Sequence, residues 1–142
     1  MKAIFRENGK EVINNDIGDI FISIELNKKD WDSKKYDEDE YVEQKISKND
    51  LLSKLYKYEI EAPLDNLVTI RFECFGGEGF YGSYPENEDE LKALKITYNE
   101  LIKLFPNSKV KVTVDIDDFW DDYNEDDYSI EEFLNRFILV NN

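Results

Sequence analysis

Hydrophobic and polar positions alternate in three segments of the chain, and this period of two predicts half-buried strands. Over residues 19–26, Ile20, Ile22, Ile24 and Leu26 fall on one side, with Phe21, Ser23 and Glu25 on the other. Over 67–75, Val68, Ile70, Phe72 and Cys74 alternate with Leu67, Thr69, Arg71 and Glu73. Over 109–117, Val110, Val112, Val114 and Ile116 make the apolar side. The chain opens with a further expected strand, residues 2–7, an Asn8-Gly9 hairpin turn and a return strand over 10–14.

Elsewhere the period lengthens to that of a helix. Leu91, Leu94, Tyr98, Leu101, Ile102 and Phe105 recur at helical spacing, Asn87 and Glu90 supply a start, and Pro106 a stop, so a helix is predicted over 88–105. Asn49 caps a shorter helix running to about Tyr58, with Leu51, Leu52, Leu55 and Tyr56 as its stripe and Pro63 beyond it. Ser129 and Glu132 form a capping box ahead of a closing helix striped by Ile130, Phe133, Leu134, Phe137 and Ile138. Residues 27–48 are polar and mixed in sign, with Trp31, Tyr36, Tyr41 and Ile46 spaced through them. They read as a long, partly helical surface excursion, a feature that is usually functional or mobile.

The resulting order, β-β-β-α-β-α-β-α, predicts an α+β fold of two layers. Strands with one apolar face imply a mainly antiparallel sheet of about four to five strands with helices packed on one face. Its open face would present Ser23, Glu25, Thr69, Arg71, Glu73, Lys111, Thr113 and Asp115. At 142 residues without a repeat or linker, a single domain over 1–142 is expected.

Charge changes this picture most. The net charge is −15, and residues 112–142 hold ten acids against the single base Arg136. Nucleic acid and anionic membranes both require basic patches, so neither is an expected direct partner. A basic protein is, because opposite fields speed encounter and reject wrong partners. The one cysteine, Cys74, rules out an intrachain disulfide and reads as a buried thiol. With no signal-like leader and no apolar run of membrane-spanning length, a cytoplasmic location is expected.

Candidate chemistry is sparse. There is no histidine, which removes Ser-His and Cys-His nucleophiles and histidine metal sites. No pair of acids is singled out for proton transfer, so no catalytic residue is assigned and a non-enzyme is expected. Residues 77–82 match G-x-G-x-x-G, yet Ser83, Tyr84 and Pro85 intervene before the helix, and Glu78 with Glu86, Glu88, Asp89 and Glu90 would repel a phosphate. The stretch reads instead as a flexible loop, or as a loop whose Phe80, Tyr81 and Tyr84 dock into a partner. No cofactor is expected.

The densest segment is 115–128, Asp-Ile-Asp-Asp-Phe-Trp-Asp-Asp-Tyr-Asn-Glu-Asp-Asp-Tyr. Asp122, Asn124 and Asp126 have the alternate spacing of a calcium loop, but Asp127 stands where such a loop needs glycine and Phe133 where it needs its bidentate glutamate. A solvated charged loop is one reading of the segment. The other is a binding patch in which aromatic anchors sit among charges. On the second reading the contacting residues are Asp117, Asp118, Trp120, Asp121, Asp122, Tyr123, Glu125, Asp126 and Asp127, joined by Phe80 and Tyr81, while Phe119 serves the core.

In size, acidity and its Asp-Phe-Trp-Asp-Asp-Tyr segment the chain resembles the bacterial immunity proteins that neutralise toxin domains, and the phage-encoded acidic proteins that mimic DNA. The resemblance implies a stoichiometric, non-catalytic inhibitor of a nuclease toxin or another nucleic-acid-binding enzyme, acting in the bacterial cytoplasm. A DNA mimic spreads carboxylates over a long face; an immunity protein concentrates them around anchors, which the 115–128 segment matches better. A calcium-binding or calcium-stabilised module is the alternative from another class.

Overall fold

The computed structural model describes residues 2–32, 34–50, 52, 58–60, 67–72, 84–116 and 124–141. Its elements are β1 (Lys2–Glu7), β2 (Lys10–Ile13), β3 (Ile20–Asn27), α1 (Glu38–Ser47), β4 (Tyr58–Ile60), β5 (Leu67–Phe72), α2 (Glu88–Leu104), β6 (Lys109–Ile116), β7 (Asn124–Tyr128), α3 (Ile130–Arg136) and β8 (Phe137–Val140). They form an α+β fold with two antiparallel sheets, a five-stranded one in the order β4-β5-β3-β6-β7 and a three-stranded one in the order β2-β1-β8.

β3 is the middle of the larger sheet because its alternation places a large aliphatic side chain (Ile20, Ile22, Ile24, Leu26) at each inward position. Ile22 sits between Phe72 and Val112, and Ile24 between Ile70 and Val110, so apolar rows cross three strands in register. Ile22, Ile24, Ile70 and Val112 are wholly buried. α2 covers this face with Leu91, Leu94, Tyr98 and Leu101, and the Tyr98 hydroxyl donates to the Val110 carbonyl at 2.9 Å. Burial raises the Tyr98 pKa, which keeps that donor protonated.

The smaller sheet starts at the Asn8-Gly9 turn, where φ is 48° and 77°, as the expected hairpin requires. Asn14 leaves the return strand for a 3-10 turn over Asn14–Ile17, and its side-chain oxygen accepts from the Ala3 amide at 2.9 Å. Phe5 joins the sheets. Fully buried, it stacks on Phe133 of α3 at 6.3 Å and meets Tyr128 of β7 edge-on at 5.7 Å. One continuous core runs from Ala3 and Phe5 to Ile70 and Phe72.

Several expectations are corrected. The closing helix stops at Arg136, and Phe137 and Ile138 belong to β8, paired with Phe5 and Ile4. Their spacing from Phe133 and Leu134 suits a helix, but aromatic and branched side chains opposite β1 gain more as a strand. Tyr58 opens β4 instead of ending a helix, although Asn49 does cap its turn by accepting from the Leu52 amide at 2.9 Å. The 27–48 excursion is partly helical as expected, containing α1 capped by Asp37, but it is not wholly at the surface, since Val42 and Ile46 are buried. Ile102 points outward, 41% exposed, because the buried stripe of α2 runs through Thr97 and Leu101. Tyr84 is buried in the core and is no loop tip. The second sheet face is not open throughout: Phe21, Thr113 and Asp115 are buried on it, while the Arg71 guanidinium lies 4.4 Å from the Phe21 ring centroid. Glu73, Cys74 and residues 76–83 lie outside the described residues.

Phe5→Ala is expected to cost about 3–5 kcal/mol, the usual loss for truncating a fully buried phenylalanine. Urea unfolding read by tryptophan fluorescence and by circular dichroism should show one shifted transition in both signals, because Phe5 holds both sheets.

Candidate functional site

The 115–128 segment is not a free loop. Asp115 and Ile116 end β6, and Asn124 to Tyr128 return as β7, with Ile116 opposite Asn124, Asp115 opposite Glu125, Val114 opposite Asp126 and Thr113 opposite Asp127. Among the described strands β7 closes one edge of the larger sheet. Acidic residues are poor strand formers, so the pairing with β6 imposes this conformation. Charge on an edge strand also discourages unwanted sheet pairing.

The pleat sends neighbouring acids of β7 to opposite faces. Asp127 lies on the face of Thr113, whose hydroxyl donates to Asp127 Oδ1 at 2.7 Å. The Ser23 and Thr113 oxygens are 2.6 Å apart. Thr113 has spent its only proton on Asp127, so Ser23 is the donor of that second bond. A chain of three side chains therefore ties β3, β6 and β7 together across that face.

Asp126 lies on the other face, half-buried, and meets Glu7 at the end of β1. Hydrogen bonding to the Asp126 carboxyl is the chief cause of a raised Glu7 pKa, and partial burial adds to it. The Tyr128 hydroxyl and the Arg136 charge pull in the opposite direction. Two carboxyl groups in contact need a proton between them, which explains the upward direction. Tyr128, buried against Phe5 and facing Glu7 and Asp126, is pushed up to about 12, first by burial and then by those charges. Arg136, the only base of residues 112–142, is held here: its guanidinium lies 5.2 Å from the Tyr128 ring centroid and donates to the Arg6 carbonyl at 3.3 Å.

Of the sequence-predicted contact residues, Glu125, Asp126 and Asp127 are strand residues of β7. Asp117, Asp118, Trp120, Asp121, Asp122, Tyr123, Phe80 and Tyr81 lie outside the described residues, as does Phe119. Of the calcium-spaced set, Asn124 and Asp126 belong to the paired strand, and Asp122 lies outside the described residues. Among the described residues no three acids or cysteines cluster as a metal site. Glu7 was not singled out by the sequence, because 119 positions separate it from Asp126 and no local pattern reports such a contact. A shallow cavity of about 120 Å³ lined by Leu26, Tyr41, Lys45 and Phe105 involves none of the predicted residues.

Comparison with known proteins adds nothing to this geometry. No protein-family model, curated protein or solved structure matches the chain. Among the described residues, ion pairs join Arg6 to Glu11, Lys28 to Glu38 and Lys103 to Glu100, none of them in β7.

The Glu7 shift makes a signed prediction. A pKa raised above the ordinary 4.5 means that the folded state holds the proton more tightly than the unfolded chain does. The stability this group contributes is present below the ordinary value and is lost as pH rises through the folded one. Glu7→Gln should therefore gain on wild type as pH is raised through that window, in urea titrations at a series of pH values. Parallel stability curves for the two proteins would refute the Glu7–Asp126 contact.

Proposed function

We propose that this protein is an acidic, non-catalytic inhibitor of the immunity-protein kind, which binds and neutralises a basic partner such as a nuclease toxin or another nucleic-acid-binding enzyme. The observation that carries this reading is the charge of the last fifth of the chain. Ten acids share one base, Arg136, and that base is engaged on Tyr128 and the Arg6 carbonyl. The acids of β7 stand on an edge strand, with the aromatic-rich 117–123 segment directly before it in sequence. Such a field suits the cleft of a protein that binds polyanions.

An immunity-type patch is favoured over DNA mimicry by the way β7 uses its acids. Asp126 meets Glu7 and Asp127 accepts from Thr113, so neighbouring carboxylates turn to opposite faces instead of lining one. A mimic needs evenly displayed charge. The cytoplasm is the proposed site of action. The described residues contain no helix long and apolar enough to cross a membrane.

Affinity capture from source-cell lysate at low and high salt, followed by mass spectrometry, tests the reading. One basic nucleic-acid-handling protein recovered in stoichiometric amount and retained at high salt is expected, since aromatic anchors outlast screened charge. A scatter of basic proteins removed by salt would sink it. Trp120→Ala combined with Asp121→Lys and Asp122→Lys should abolish that binding while leaving the circular dichroism and melting curve intact. Asp127 is unsuitable for this test, because reversing it also breaks the Thr113 bond.

A further inference from the structure

The smaller sheet ends on a strand unlike the other edges. β2 carries Lys10 and Glu11, β4 carries Glu59, and β7 carries Glu125, Asp126 and Asp127. Charges at these positions are the usual protection of an unpaired edge. β8 has the sequence Phe-Ile-Leu-Val, without a charge, a proline or a glycine. Among the described strands it has β1 on one side only. Ile138, Leu139 and Val140 each stay partly exposed.

The face next to this edge is apolar as well. The pairing of β1 with β2 and β8 sets Ile4 between Ile13 and Ile138, with Val140 opposite Lys2 one step along. These isoleucines lie on the side of the sheet away from Phe5; Ile4 is buried between its neighbours, while Ile13 and Ile138 stay partly exposed. Charge is permissive here. Strands β1, β2 and β8 hold Lys2, Arg6 and Lys10 against Glu7 and Glu11, a small positive balance in a chain of −15. The net charge of the chain is therefore not concentrated on this sheet.

We propose that the protein forms a two-fold dimer in which β8 pairs antiparallel with β8 of a second copy, fusing the two smaller sheets into one. A two-fold contact needs a self-complementary patch, and a short uncharged strand edge supplies one. Because side chains alternate, both outer faces stay on the same side when Leu139 is opposite its twin and Ile138 is opposite Val140 of the second copy. The partly exposed Ile13, Ile138 and Val140 of the two copies then lie on one face. This inference does not depend on the inhibitor reading, which places a different partner on residues 115–128.

Sedimentation equilibrium of the full chain tests it, against a monomer mass of 16.9 kDa. Wild type should reach twice that mass as concentration rises, and added salt should preserve the dimer by screening the net charge. Ile138→Lys and Val140→Lys should each sediment as monomers with unchanged circular dichroism. Val140→Lys, nearer the strand end, carries the test if Ile138→Lys fails to fold. Amide exchange over 137–140 should slow with concentration in wild type only. A wild type that stays monomeric, or a dimer that survives in the folded variants, overturns the proposal.

Discussion

Phe5 is the contact on which the arrangement depends. It belongs by hydrogen bonding to the smaller sheet, yet its ring is buried against Tyr128 of the larger one and Phe133 of the helix that follows. Rigid rings in full burial contribute more per residue than any other core contact, and offset or edge-on geometry adds to the area term. Phe133 in turn stacks on Phe137 at 5.1 Å, the first residue of β8. A short chain of aromatics therefore fixes β1, β7, α3 and β8 together. The meeting of Glu7 with Asp126 follows from it, since Glu7 lies two residues after Phe5 and Asp126 two before Tyr128.

A chain of −15 repels itself, and much of its acidity is placed where the backbone welcomes it. Glu38, Asp39 and Glu40 open α1; Glu88, Asp89 and Glu90 open α2; Glu131 and Glu132 open α3. Carboxylates in a first turn face unpaired amides and the positive end of the helix dipole. Asp37, Asn87 and Ser129 cap those turns by accepting from the third amide onward. The acids of β7 have no helix to serve. Asp127 is explained by Thr113, and Asp126 meets the Glu7 carboxyl.

The segments that were legible in the sequence are those whose apolar periodicity is local. β3, β5 and β6 keep an unbroken alternation because each packs one face on the core, and α2 keeps its stripe because it lies on a sheet. The capping residues Asn87 and Ser129 were equally plain, since a cap acts within four positions. The candidate site was legible as composition: the acids and rings of 115–128 stand out in any reading. Its geometry was not, because neither the β6–β7 pairing nor the face each acid takes has a local signal in a run of aspartates.

The amino-acid sequence by itself determined an α+β chain with three one-faced strands, a long amphipathic helix and an acidic C-terminal fifth, all properties set by neighbours within a few positions. Only the tertiary structure decided that Phe137 and Ile138 form a strand, that Thr113 and Asp115 are buried, and that Glu7 meets Asp126. Each of those outcomes rests on contacts between residues far apart in the chain, where burial and pairing outweigh the preference of any single segment.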